Sequence, residues 1–101
     1  MGAAAEARVA TEAPRRYLAQ LCKHFQHKLP VTLGPVTLGE AQGRIEFAGG
    51  ACDLTAEGET LVLRLAAEDT VTLVRLEDVV ARHLLRFAFR DPPEISWTPV
   101  G

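Results

Sequence analysis

A thiol and two imidazoles lie close together in one short stretch of the chain. Cys22, His24 and His27 fall within six consecutive residues, and Lys28 follows directly. Imidazole nitrogen and thiolate sulfur are ligands that zinc and similar ions prefer, and a thiolate is also a nucleophile. On a helix, residues three apart are surface neighbours, so both histidines could touch one metal ion or one small anion. The residue types and their spacing therefore raise three possibilities: metal binding, nucleophilic catalysis and anion binding.

The element that must position these side chains is predicted to be a helix from Pro14 to about Lys28. Apolar residues recur there at helical spacing, about 100° per residue, and form one core-facing stripe. The stripe comprises Tyr17, Leu18, Leu21, Phe25 and Leu29. Thr11 is the candidate N-cap, because its hydroxyl can accept a hydrogen bond from the first turn, and Pro30 ends the helix. The two histidines lie on the border of the stripe, where a side chain is both held by packing and reachable.

Metal binding and thiol catalysis together form the second of two functional hypotheses, an enzyme that uses the Cys22, His24 and His27 helix. Cys22 and His24 point about 160° apart around the helix axis, which opposes a shared metal ion. Lys23 and His24 adjoin Cys22 in sequence but point elsewhere, so the thiol lacks a neighbouring base. A cysteine beside an apolar stripe is usually a small core thiol. We therefore assign no catalytic residue, no metal ligand and no cofactor from the sequence.

A non-enzymatic binding or interaction module is the favoured hypothesis, and anion binding, one of its possible roles, draws on basic residues from several elements. His24, His27 and Lys28 come from the first helix, and we expect Arg44 from a strand and His83 from a second helix to converge on them. Such side chains bind anions through charge-assisted hydrogen bonds. These five residues form the predicted ligand-binding site of a non-enzymatic binding module.

Three strands are predicted between the helices, at Arg44–Phe47, Ala51–Ala56 and Thr60–Ala66. Each alternates apolar and polar residues, which predicts an antiparallel meander covered on one face. Turns are predicted at Gly49-Gly50 and at Glu57-Gly58-Glu59.

Ahead of these strands the unit PVTLG occurs twice without change, at residues 30–34 and 35–39. Two copies are too few for a solenoid, in which repeated units stack their faces. We interpret the tandem repeat as a lengthened connection or as two very short strands.

The whole chain, residues 1–101, is predicted to be one α+β domain with the order helix, three strands, helix, strand. Asp69 caps the second helix, which runs to about Phe87, and Glu94–Thr98 forms the last strand. We expect a four-stranded, mostly antiparallel sheet with both helices on one face and the last strand next to the first, in the order 4-1-2-3 or its reverse. Residues 1–8 are predicted to be disordered, with Arg8–Ala10 a short edge strand or a lead-in.

The helical and strand patterns also predict which side chains form the core. These are Tyr17, Leu21, Phe25, Ile45, Phe47, Leu54, Leu63, Leu76, Val80, Leu84, Phe87 and Trp97. The second helix has a further apolar flank, Val74, Ala81 and Leu85, that one sheet face cannot cover. Exposed apolar patches usually mark interfaces, so we expect a homodimer unless an end strand or the N-terminal segment covers the flank.

Composition excludes some partners. The formal net charge of −2 gives no general attraction to nucleic acid or to an anionic membrane. No apolar run approaches the roughly 20 residues of a membrane span. The two cysteines lie 30 residues apart without a CxxC pair, which predicts reduced thiols and a cytoplasmic location.

Three segments resemble one bacterial family: RYLAQLCKHFQHKLPV at 16–31, GRIEF at 43–47 and LEDVVARHLLRFAFRD at 76–91. Their order and spacing are similar to those of domain-of-unknown-function family 2218, and the similarity runs from about Val9 to Trp97. The PVTLGPVTLGEAQ segment is longer than the corresponding connection in that family. The resemblance implies no assigned activity. It does imply a setting beside siderophore-interacting flavin reductases, and hence a small anionic or iron-related ligand or a partner reductase.

Overall fold

Six strands and two helices make up residues 2–34 and 40–100, the part of the chain that the computed structural model describes. The strands are β1 (Ala3–Ala10), β2 (Val31–Leu33), β3 (Glu40–Phe47), β4 (Gly50–Glu57), β5 (Thr60–Ala67) and β6 (Thr98–Pro99). The helices are α1 (Pro14–Phe25) and α2 (Thr70–Phe87). The strands form one antiparallel sheet in the order β2-β3-β4-β5-β1-β6.

The predicted α+β fold with two helices and an antiparallel sheet is confirmed, but the prediction of four strands is wrong. The last strand of the chain was predicted to lie beside β3, on the side opposite β4. In the structure β2 occupies that position. The last strand is shorter than predicted and pairs with β1 instead, through Ala5 with Pro99 and Glu6 with Thr98.

The chain start belongs to the sheet, so the prediction of disorder is wrong for residues 3–8. All eight residues of β1 pair with β5, from Ala3 opposite Ala67 to Ala10 opposite Thr60. Without β1, the outer edge of β5 would keep a row of unpaired backbone N–H and C=O groups. The sequence pattern was weak because most inward residues of this strand are alanines, whose small side chains make a faint apolar alternation.

One face of the sheet is buried and carries both helices, as predicted. Cross-strand rows of apolar residues build this face, such as Ala5, Leu65, Cys52 and Ile45 on neighbouring strands β1, β5, β4 and β3. Helix α1 packs on β3, β4 and β5, whereas α2 packs on β5, β1 and β4. The two helices therefore lie side by side over one core.

The predicted core residues are buried, with three exceptions. Phe47, Phe87 and Trp97 are partly buried and pack against the edge of the core. Phe47 and Phe87 lie where the helix layer opens to solvent, near the end of α1. The open edge of the core is thus the place where aromatic side chains remain accessible.

The ends of α1 differ from the prediction. Ala13 occupies the N-cap position, while the hydroxyl of Thr11 accepts from the Ala13 N–H at 3.2 Å and forms a turn ahead of the helix. The helix ends at Phe25, and residues 26–28 form a turn in which the Leu29 N–H donates to the Phe25 carbonyl at 2.9 Å. His27 and Lys28 therefore lie on this closing turn.

Helix α2 begins as predicted, because the Asp69 carboxylate accepts from the Thr72 N–H at 2.7 Å. The first PVTLG copy forms strand β2, in which Val31 pairs with Ile45 of β3. The second copy, residues 35–39, lies outside the described residues.

Candidate ligand site between the two helices

A cavity of about 480 Å³ opens between the end of α1, the middle of α2 and the end of β3. Pockets that hold small molecules usually measure about 300–1,000 Å³. The residues that line it are His24, Phe25, His27, Lys28, Leu29, Phe47, Val79 and His83. The aromatic and aliphatic members are buried or half-buried and form the walls, whereas His24, His27 and Lys28 are exposed at the mouth. We refer to this space as the helix-end cavity.

Aromatic rings pack against one another along the wall of this cavity. The ring centres of Phe25 and Phe47 lie 5.2 Å apart at an interplanar angle of 74°. Those of Phe25 and His83 are 4.9 Å apart, and those of His24 and His83 are 4.8 Å apart. Spacings of this size are typical of favourable edge-to-face and tilted pairs. The rings from both helices and the sheet thus hold each other in place around the opening.

His83 is oriented by its own helix. Its Nδ1 atom lies 2.6 Å from the Val79 carbonyl oxygen, and a carbonyl oxygen can only accept a hydrogen bond. Nδ1 therefore carries the hydrogen, and in the neutral ring Nε2 is left with its lone pair. His83 accordingly presents a hydrogen-bond acceptor when neutral and a second N–H donor when protonated.

Several basic side chains lie around the mouth of the cavity, and they contribute to the shift in the pKa of His24. Partial desolvation lowers the pKa of His24 below its ordinary value, and the nearby His83, Arg86, Lys28 and His27 lower it further. Each of these four neighbours is a basic side chain, so each opposes another positive charge. A bound anion would act in the opposite direction, because it favours the protonated imidazole.

Four of the five predicted ligand-binding residues meet at this cavity. His24, His27, Lys28 and His83 all line it, since the last turn of α1 lies beside the middle of α2. Shallow surfaces that adjoin it add Lys23 from α1 and Arg82 and Arg86 from α2.

Arg44 does not join the other four. It lies on the outward face of β3, where its Nη1 donates to both carboxylate oxygens of its cross-strand partner Asp53, at 3.0 and 2.9 Å. The cause is the period of two in a strand: Ile45 points into the core, so Arg44 points away from it.

Phe25 and Phe47 were predicted as core residues alone, and their second role on the cavity wall was missed. The role of Phe25 could have been inferred in part from the sequence, because Phe25 lies one residue after His24 at the predicted end of a helix. Phe47 and Val79 come from separate elements, and no local pattern brings them to one opening.

Cys22 is a core thiol. It is 1% exposed, and burial raises its pKa to about 11, so it stays protonated near neutral pH. Its Sγ atom points to β3, where a Cβ atom placed on Gly43 would come within 2.8 Å of it. A buried, protonated thiol is a poor nucleophile, and this argues against the thiol-enzyme hypothesis. Within residues 2–34 and 40–100, no group of three or more His, Cys, Asp or Glu side chains could hold a metal ion.

Two helices over one face of an antiparallel sheet, with a basic cavity at their edge, define a small α+β protein with a candidate ligand site. The chain belongs to a family of uncharacterised proteins conserved in bacteria, DUF2218, whose sequence profile matches residues 6–98. The resemblance seen in the sequence is thereby confirmed.

A solved structure supports the same fold. The chain is similar to the NMR structure of PA4090 from Pseudomonas aeruginosa, with 34% identity, a TM-score of 0.76 and 95% of each chain covered. No curated protein matches the chain. Among the residues described, neither helix has the length and apolar character needed to cross a membrane.

Proposed function

We propose that this protein is a binding module whose helix-end cavity takes a small anionic ligand with an aromatic body. The observation that supports this best is the division of the cavity: apolar and aromatic walls, which include the half-buried His83, lie below a mouth that carries His24, His27 and Lys28. Ligand sites commonly combine apolar walls with a few convergent polar groups that fix orientation.

The basic side chains at the mouth of the cavity indicate that the ligand is negatively charged. Lys28 donates charge-assisted hydrogen bonds to a carboxylate or another oxyanion, and an imidazole can do the same when it is protonated. Desolvation first, and then repulsion from the basic neighbours, lowers the pKa of His24, and a bound anion would offset the repulsion. A cationic ligand would meet the same repulsion, and we expect the site to reject it.

The aromatic rings in the walls of the cavity indicate that the ligand has an aromatic body. Phe25 and Phe47 form an edge-to-face pair, and a flat ring can extend such packing. An aliphatic acid of the same charge would lose these contacts. An aryl carboxylate or a catecholate therefore fits the site better than acetate or phosphate.

The iron-related setting stays a proposal that rests on the family resemblance. Catecholates are aromatic anions, so 2,3-dihydroxybenzoate is a ligand to try first if the cavity serves siderophore chemistry. A flavin reductase as partner and a cytoplasmic location belong to the same proposal. Free, buried Cys22 and Cys52 are compatible with a reducing compartment.

The test is a titration of the ¹⁵N-labelled protein followed by NMR, with three matched probes. Benzoate has the ring and the negative charge, benzylamine has the ring with a positive charge, and acetate has the charge without the ring. Benzoate should shift the amides of residues 24–29 and His83 in a saturable way, and bind about tenfold or more tightly than either control. 2,3-Dihydroxybenzoate in the same series tests the iron-related setting.

Variants connect the binding to the cavity. The double substitution His24→Gln with His83→Gln should weaken benzoate binding about tenfold, because two imidazoles that can carry a positive charge are replaced by neutral amides. Arg44→Gln is the matched control on the outer sheet face and should bind like the unchanged protein. Equal shifts from benzoate and benzylamine, or shifts centred on another surface, would overturn the proposal.

A further inference from the structure

A row of apolar side chains on α2 points away from the core and is uncovered in the part of the chain that the structure describes. Val71 is 81% exposed, Val74 is 58% exposed and Leu85 is 38% exposed. Phe89, 69% exposed, continues the row on the turn after the helix. Ala81 lies between them and is partly exposed. We refer to these five residues as the α2 outer stripe.

The two segments expected to cover this stripe are paired elsewhere in the part of the chain that the structure describes. Strand β6 pairs with β1 at the sheet edge, and β1 pairs with β5 within the sheet. Both candidate covering segments, the chain start and the end strand, are thus engaged elsewhere. Exposed apolar side chains that share one helix face usually mark an interaction site.

The charges within the stripe are arranged so that α2 is complementary to itself. Asp78 and Arg82 lie one turn apart between Val74 and Leu85, on the outward face of the helix, and form an exposed ion pair, with Arg82 Nε 2.9 Å from Asp78 Oδ2. If two copies of α2 cross in antiparallel orientation near Ala81, Asp78 of each copy faces Arg82 of the other. A parallel pair would instead place like charges opposite each other.

The apolar residues match in the same register. An antiparallel crossing near Ala81 sets Val71 at one end against the partner's Phe89 at the other, and Val74 against the partner's Leu85. The midpoint of these pairs falls at position 80, and the small side chain of Ala81 next to it allows the two helix backbones to approach closely. Size, polarity and charge thus agree on one arrangement.

We propose that a second copy of this chain docks antiparallel on the α2 outer stripe and forms a twofold-symmetric dimer. Symmetric dimers use one self-complementary patch on both subunits, which is what the stripe and its two charges provide. The patch is one helix wide, so the dimer belongs among small interfaces, and we expect it to dissociate in the micromolar range. It does not depend on the proposed function, since the stripe and the helix-end cavity share no residues.

A charge-swap series tests the arrangement by sedimentation in the analytical ultracentrifuge. Asp78→Arg and Arg82→Asp each set like charges across the interface, and each should raise the dimer dissociation constant about tenfold. The double variant that exchanges the two charges should restore the dimer. Because both side chains are exposed, neither single change should unfold the monomer, and circular dichroism checks this point.

A second series separates the stripe from other exposed apolar residues. Val74→Glu should also raise the dissociation constant about tenfold or more, and glutamate is a better helix former than valine, so α2 should persist. Leu33→Glu is the matched control, because Leu33 is 60% exposed on strand β2, away from the stripe. A monomer at tens of micromolar would overturn the proposal. So would a dimer that resists Val74→Glu or that Leu33→Glu disrupts, and so would a charge exchange that fails to restore association.

Discussion

Two neighbouring parts of the interface between α1 and the sheet are packed to very different degrees. Around Leu18, Leu21 and Cys22 the helix lies so close to β3 that a single methyl group on Gly43 would meet the sulfur of Cys22. One turn later the same interface opens into a cavity of about 480 Å³. The closed part is filled by small and branched apolar residues, while the open part is walled by aromatic rings and surrounded by basic side chains. The difference shows where packing gives way to a space that a ligand can occupy.

The largest expected effect belongs to the closed part. Leu21 in this part and Leu84 in the adjoining core under α2 are fully buried, so Leu21→Ala and Leu84→Ala should each lower the free energy of unfolding by about 2–5 kcal/mol, through lost burial and a cavity. His27→Ala, at the exposed end of the same interface, should change it by less than about 0.5 kcal/mol. Urea denaturation of the three variants measures the contrast. Losses below about 0.5 kcal/mol for both leucines would show that the two helix faces are wrongly assigned.

A smaller effect is expected at the point of closest approach. Gly43→Ala should cost about 1–3 kcal/mol, because the new methyl group forces the Cys22 sulfur or the helix to move. Cys22→Ala removes the sulfur, so the double variant should recover part of that cost. A double-mutant cycle by urea denaturation measures the coupling between the two sites. If the two losses simply add, the steric explanation for the glycine is incorrect.

The smallest effect concerns pH at the open part. Because the folded protein lowers the pKa of His24, the unfolded chain binds a proton there first as the pH falls. Stability should therefore be complete above about pH 6.5 and decline as the pH falls through that value toward the lower folded one. His24→Gln should remove this part of the decline, whereas Lys23→Gln should retain it. Urea midpoints measured above and below that pH make the comparison, and an unchanged decline in His24→Gln would contradict it.

The sequence predicted those parts of the fold whose apolar period is strong and local. The stripes of both helices and the meander of β3, β4 and β5 each show a clear alternation, and Asp69 marks the start of α2 as predicted. Strand β1 was missed because its inward residues are mostly alanine. The position of β6 could not be predicted because pairing between distant segments depends on the whole sheet.

The candidate site was predictable to the extent that it lies on helices. His24 on α1 and His27 and Lys28 on the turn that closes it lie close together in sequence, so one local pattern brought them together, and His83 could be added as the remaining histidine. The placement of Arg44 beside them ignored the inward direction of Ile45, which sends Arg44 to the opposite face. The cavity itself arises where α1 ends and β3 carries Phe47, and its volume is a property of packing that spacing in the sequence does not determine.

The position of β1 has a consequence for the order in which the fold can be assembled. This strand is synthesised before the other five strands of the described sheet, yet its partners are residues 60–67 and then Thr98 and Pro99. Closing such long loops costs chain entropy before any contact repays it, which slows folding. The hairpins of β3, β4 and β5 need only short loops and can form as they emerge. Strand β1 therefore stays unpaired until residues 60–67 have been made, and its alanine-rich sequence gives it little tendency to associate with other nascent chains during that time.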